Sequence, residues 1–265
     1  LAATPKNGRS RAIVRLRAWQ ATFVGCSFQS TGGPQAPGQS QPAAVEWLGP
    51  GTITDDAEME LPTGQLSFER CVFHRVSAAV RCRLDAALVF RFDDVLHLGP
   101  GPLVVLAEAP QVDEPVSLAM SHVTLRDSAG LVECRYRELQ GSMGRTTIQA
   151  SNCALMPAAG KSLFLFRGNS PPEPLTEQLV WSGQGSVLAR EAPLALWETA
   201  QGRMLAAPED SIQVEGLVRT EVGFAGDAGD GPSASRIVRW QVPLQSPDPP
   251  GIRESALELP AFNGR

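Results

Sequence analysis

Asp93 and Asp94 stand side by side. A carboxylate pair is what glycosidic-bond cleavage uses: one group protonates the leaving oxygen and the other attacks or activates water. The densest acidic run is Asp55, Asp56, Glu58 and Glu60, the donor type that a hard cation such as calcium accepts. That run lies in a stretch read as a loop, where a solvated acidic segment accounts for it, so no metal site is expected. Three histidines, His74, His97 and His122, form no cluster. The chain has no Ser-His-Asp arrangement, phosphate-cradling glycine loop or nucleophile elbow, and no cofactor is expected.

The five cysteines, Cys26, Cys71, Cys82, Cys134 and Cys153, have neither the C-x-x-C spacing nor the neighbouring histidines of a zinc site. An odd count in a chain of 265 residues is no disulfide framework, and buried small hydrophobes are the simpler reading. A net charge of −5 argues against a nucleic-acid partner, which needs a basic face to neutralise phosphates. No run of about 18 apolar residues exists, so no membrane-spanning helix is expected. Only Lys6 and Lys161 are lysines; an arginine-, alanine-, glycine- and proline-rich composition reflects a G+C-rich coding sequence, which discounts any single arginine as a signal.

The elements that must position these groups show a repeat, and repeats are sought before motifs because a fixed period changes the fold assignment. Apolar residues at positions 1, 3, 6 and 8 of an octapeptide occur at Ala21, Phe23, Cys26 and Phe28, and at Leu66, Phe68, Cys71 and Phe73. They recur at Phe90, Phe92, Val95 and His97, at Leu118, Met120, Val123 and Leu125, and at Ile148, Ala150, Cys153 and Leu155. A degraded copy is read at Val180, Ser182, Gly185 and Val187, and Ile212, Val214 and Leu217 begin one more. Period-2 spacing within each half means a strand with one face inward. The doubled gap in the middle shifts the phase by one, which requires a bend. Eleven residues after Cys71, Val95 and Val123 come Cys82, Leu106 and Cys134, and thirteen after Cys153 comes Phe166, a second inward strand in each repeat.

This pattern predicts an all-β chain, a parallel β-solenoid of about six coils with an irregular C-terminal cap. The domain reading is a solenoid over 1–205 with a projecting loop at 29–62, then a cap or continuation over 206–265 in which Trp240 serves as an anchor. Stacking sets the bend residues Arg70, Asp94, His122 and Asn152 in an outward polar column. Arg83, Arg135 and Arg167 form another, interrupted by Ala107, to which an acidic glycan could bind. His97 falls on an inward position and His74 on an outward one. Cys26 and Cys71 share a column at a spacing that a disulfide tolerates, with stacked thiols the simpler case.

The form L-x-F-x-x-C-x-F at Leu66 to Phe73, with its relative at Ile148 to Leu155, resembles coils of right-handed parallel β-helix proteins of the pectin-lyase-like superfamily. The stretch from His97 to Ser186 also resembles uncharacterised β-helix tails of large multidomain bacterial proteins. The resemblance implies either a polysaccharide lyase or glycoside hydrolase, or a non-catalytic module. Asp93-Asp94 resembles the paired aspartates of polygalacturonases, but the accompanying N-T-D, G-H-G and R-x-K elements of that family are missing. The expectation is therefore a non-catalytic interaction or structural module of a larger bacterial protein, extracytoplasmic, with a polysaccharide or another protein as partner. The polysaccharide-cleaving enzyme is the alternative.

Overall fold

The computed structural model describes residues 12–30, 42–48, 62–83, 86–227, 235, 237–240, 246, 248–253 and 255. Across them the chain is 55% strand and 4% helix and winds as a parallel β-solenoid of about six turns. Three walls enclose the core. The first wall stacks Gln20–Val24, 64–69, 88–93, Val116–Ser121, Thr146–Ser151, Leu179–Gln184 and Gln213–Val214. After a bend, the second stacks Ser27–Gln29, 71–74, 95–98, Thr124–Ser128, Ala154–Pro157, Ser186–Ala189 and Leu217–Thr220. Because Gly64–His74 and Leu88–Leu98 run unbroken through the bend, these two walls form one 12-stranded sheet. The third wall runs from Ala12–Leu16 through Ala43–Trp47, Val80–Cys82, Pro102–Leu106, Gly130–Arg135 and Phe164–Gly168 to Ala195–Thr199, where the reversed strand Met204–Ala206 pairs antiparallel and ends it.

The doubled gap of the repeat is a left-handed residue. Arg70, Asp94, His122 and Asn152 have φ of 52°, 51°, 53° and 53°, and Gly25, Gly185 and Gly216 continue the column at 60°, 67° and 77°. One residue in this conformation turns the strand while the backbone ladder passes through it: the N–H groups of Gly25, His122 and Asn152 donate to Glu69, Ser151 and Gln184 carbonyls at 2.9, 3.0 and 2.9 Å. Asp, Asn and His tolerate this region better than other non-glycine residues, and they occupy three of the four non-glycine places.

Inward columns are in register and complementary in size. The third-position column, Phe23, Phe68 and Phe92, stacks at 5.1 and 5.4 Å, each contact contributing ~1 kcal/mol beyond area burial. Farther along it shrinks through Met120 and Ala150 to Gly183, where a Cβ would meet the Ala150 carbonyl oxygen at 1.8 Å. The first-position column grows in compensation, from Leu118 and Ile148 to buried Trp181. The third wall's column, Trp47, Cys82, Leu106, Cys134 and Phe166, faces the same core; the offset of eleven predicts Cys82, Leu106 and Cys134 there and the offset of thirteen Phe166, while Trp47 is added by the structure.

Two expectations change. The sixth repeat is read one residue early: Trp181, Gly183, Ser186 and Leu188 hold the inward places, since Trp181 pairs with Ile148 and Leu188 with Leu155. The reason is that bulky Trp181 takes the space Gly183 leaves, so the apolar pattern alone misplaces the register. The span 29–62 is not one projecting loop, because Ala43–Trp47 lies buried within the third wall; its flanking Gly, Pro, Gln and Ser conceal a five-residue strand. Beyond the third wall's end, Gln213–Val214 and Leu217–Thr220 add one more short rung, and Val222–Phe224 pairs antiparallel with Ile237–Trp240. The side chain of Trp240 and the acidic run Asp55 to Glu60 lie outside the described residues.

Arg70 is the bend residue least suited to its φ, and its side chain is 53% exposed, 3.5 Å from Glu69. Arg70→Asn should therefore raise stability by about 0.5–1 kcal/mol and Arg70→Val lower it by about 1 kcal/mol or more. Urea denaturation checks both, and a stabilising Arg70→Val contradicts the left-handed assignment.

Candidate functional site

The column of bend residues is brought together as its spacing predicts, but it is not an open surface. Asp94, His122 and Asn152 are buried, while Arg70 is exposed. What covers them is the chain's own C-terminal segment, which runs back along the solenoid. Ser246 lies beside Gly185, and the Gly251 N–H donates to the Asn152 carbonyl at 2.7 Å. The Ile252 N–H donates to Thr124 Oγ1 at 2.8 Å, and its side chain packs on outward-facing Val72, Leu96 and Leu98. Gly251 has φ +90°, and a Cβ there would meet Thr124 Oγ1 and Ile237 Cδ1 at 2.7 Å, so only glycine lets the segment lie this close.

Asp93 and Asp94, the carboxylates marked out for catalysis, meet Arg253 at the end of this strap. Arg253 Nε donates to both Asp94 oxygens at 2.8 Å, a terminal nitrogen donates to Asp94 Oδ2, and Asp93 Oδ2 lies 3.8 Å away. These hydrogen bonds push the Arg253 guanidinium pKa further up. A bidentate partner of this kind fixes position as well as charge. Above the strap, Arg126 extends the cover: it donates to the Gly226 carbonyl at 2.7 Å and lies 4.1 Å over the Phe224 ring.

Beside this column Ser121 Oγ lies 3.0 Å from His122 Nδ1. Among the described residues no carboxylate hydrogen-bonds that ring, so the pair lacks the orienting third member that nucleophilic catalysis uses. His97 is wholly buried at its inward place, between Phe73 and Leu125, with Nε2 2.8 Å from the Gly101 carbonyl. Nε2 therefore carries the proton, Nδ1 has no partner, and burial lowers the pKa to about 4. His74 faces outward, half-buried. Cys26 and Cys71 are stacked thiols, not a disulfide, and donate to the Val24 and Phe23 carbonyls. Burial pushes Cys71, Cys134 and Cys153 up to about 12, which removes their thiolate reactivity.

The second column stacks on the outside of the third wall: Arg83, then Ala107, then Arg135 paired in register with Arg167. These arginines are not free cations. Glu46 and Glu133, nearly buried on the same face, sit between them: Glu46 contacts Arg15 and Arg83 at 3.0 and 3.7 Å, and Glu133 contacts Arg135 and Arg167 at 2.6 and 3.4 Å. Arg167 also meets Glu198 at 3.2 Å. The sequence reading missed Glu46, Glu133, Arg15, Arg81 and Arg253. A signal existed for the glutamates, since Ala43–Trp47 and Gly130–Arg135 each interrupt an apolar run with one Glu just before the inward Trp47 or Cys134. None existed for Arg253, whose partner is 159 residues away.

Next to Arg83 and Ala107 a cleft of about 210 Å³ opens, lined also by Ala86, Leu88, Glu108 and Gln111. Among the described residues no cluster of three or more His, Cys, Asp or Glu is placed to hold a metal ion, and no helix is long and apolar enough to cross a membrane. The chain matches no known family model, no curated protein and no solved structure.

Two measurements follow. His97 is neutral when folded and has a pKa below its unfolded value, so protons favour unfolding between the two. The contribution of His97 is full above pH ~6.5 and is lost as pH drops toward 4, by roughly 3 kcal/mol. Denaturation of wild type and His97→Leu at pH 7 and pH 4.5 should show wild type losing about 2–3 kcal/mol more than the variant. Arg253→Ala should free the strap, seen as new protease cleavage within 246–253, at a cost of about 1–2 kcal/mol after allowing for the half-exposed guanidinium. A strap that stays protected in this variant shows that the ion pair is not its anchor.

Proposed function

We propose that this chain is a non-catalytic β-solenoid module of a larger bacterial protein, of the pectin-lyase-like kind, which holds an extended partner along the outer face of its third wall. The observation that carries the reading is the Asp94–Arg253 pairing. Glycoside cleavage needs one carboxyl group free to give a proton and another free to attack or activate water. Here Asp94 is neutralised by the chain itself and lies beneath its strap. The third wall, by contrast, presents long polar side chains on rungs about 4.8 Å apart, interrupted at Val105 and Ala107, a geometry suited to gripping a linear partner without reacting with it. Arg15, Arg81, Arg83, Arg135 and Arg167 outnumber Glu46, Glu133 and Glu198 there, which favours an anionic partner despite the chain's net −5.

The polysaccharide-cleaving alternative is tested directly. Wild type and Arg253→Ala, whose strap is released, are incubated with polygalacturonate, alginate and xylan, and new reducing ends and unsaturated products are measured. Neither protein should release product. Turnover by either one, abolished by Asp93→Asn or Asp94→Asn, overturns the non-catalytic reading.

A further inference from the structure

The first coil and the last coil end the solenoid differently. At the far end the reversed strand Met204–Ala206 closes the third wall. At the near end Ala12–Leu16, Gln20–Val24 and Ser27–Gln29 each pair, among the described strands, with the second coil alone, so three parallel strands present bare outer edges. Alternate residues of a parallel strand bond to opposite neighbours. The Leu16 and Trp19 carbonyls accept from Leu48 and Gln65 of the second coil, so the backbone groups of Ile13, Arg15, Gln20, Thr22 and Val24, out of phase with them, point away from it. The plane of this coil is also unfilled. Val14, Leu16, Ala21, Phe23 and Cys26 pack on the core yet are only part-buried, whereas Val45, Trp47, Leu66, Phe68 and Cys71 one coil on are no more than 1% exposed. Folded chains blunt bare strand edges with charges, prolines or bulges. Here Gln20–Val24 and Ser27–Gln29 carry no charge and no proline, and the one charge on Ala12–Leu16, Arg15, is matched by Glu46 at 3.0 Å. Val24 is 47% exposed, and nothing lies within 4 Å of where a Cβ on Gly25 would stand.

We propose that this end plane is a dimer interface, and that its occupant is the same plane of a second copy. A parallel neighbour would have to be the far end of another molecule, and there Met204–Ala206 runs the wrong way for the third wall. A second near end, turned about a two-fold axis lying across the plane, reverses the direction of every strand, so the two rims meet antiparallel. Antiparallel pairing is at least as stable per residue as parallel pairing. Such a contact uses the same surface on both copies and is closed, so it stops at two molecules. Leu16 and Phe23 gain the apolar cover that their counterparts in the second coil already have, and Arg15 keeps Glu46 at the edge of the contact. The rim offers strands of five, five and three residues per copy, fewer than the about 20–30 residues a side of a standard interface. The dimer is therefore reversible, with a Kd on the order of 10 μM.

Sedimentation velocity of the full chain, over concentrations that span this value, tests the proposal. Wild type should pass from monomer to dimer and form nothing larger. Thr22→Pro deletes an N–H that the solenoid's own ladder does not use, which an edge strand tolerates; at low concentration it should melt as wild type does, and its dimer should be at least tenfold weaker. Val24→Lys puts a charge on the rim without touching the backbone and should weaken the dimer to a similar degree, so it carries the test if the proline variant melts lower. Amide hydrogen exchange over Gln20–Val24 should slow as wild type is concentrated and stay constant in either variant. Wild type that remains a monomer throughout overturns the proposal. So does a dimer that both variants form as well as wild type, or one that leaves exchange over Gln20–Val24 unchanged. Species that grow beyond two copies overturn the two-fold arrangement.

Discussion

The left-handed residue at the bend between the first and second walls governs this structure. A strand that bends through ordinary β geometry loses ladder hydrogen bonds at the bend, whereas here the N–H of the bend residue still reaches the next coil. Two walls thereby become a single 12-stranded sheet. Since the bend is at the same place in every coil, each side chain stands above its counterpart, and a one-residue error would turn every inward side chain out. The mixed bend column of Gly, Arg, Asp, His and Asn shows that the backbone angle, and not a shared chemical role, selects those residues.

Stacking also decides where charge can be placed. Like charges on adjacent rungs would repel at about 4.8 Å, and the two charged surfaces solve this differently. On the third wall, nearly buried Glu46 and Glu133 alternate with arginines, so each carboxylate serves two guanidinium groups. At the bend, compensation comes from the far end of the chain, through Arg253. The first arrangement leaves donors facing outward. The second consumes the carboxylates, and with them the feature that most resembled an active site.

How much was legible follows from the range of the interactions. The period-2 halves and the doubled gap are local, so Leu66 to Phe73 and Ile148 to Leu155 announce strand, bend and strand without help. The offset to Cys82, Leu106 and Cys134 is fixed by coil circumference and is equally readable. The sixth coil is misread because the Trp181–Gly183 pair trades volume with Ile148 and Ala150, a relation between layers that no single octapeptide displays. Ala43–Trp47 is hidden by its neighbours' composition. At the candidate site, Arg83, Arg135 and Arg167 could be aligned from spacing alone, but their neutralisation by glutamates depends on which outward rows adjoin. The strap was illegible, since the contacts of Ile252 and Arg253 span more than a hundred residues.

The reversed strand Met204–Ala206 bears on a hazard common to stacked architectures. A coil resembles a lattice plane, and a regular last plane is a template on which a second molecule could crystallise, rung upon rung, into a fibre. Met204–Ala206 runs against the direction of the wall it closes and is only three residues long. The last strand of this wall is thus both inverted and short, so a parallel strand arriving from another molecule finds no matching donors and acceptors along it. Growth stops there by symmetry mismatch, and the wall can keep its long, open side face without its end becoming a seed for aggregation.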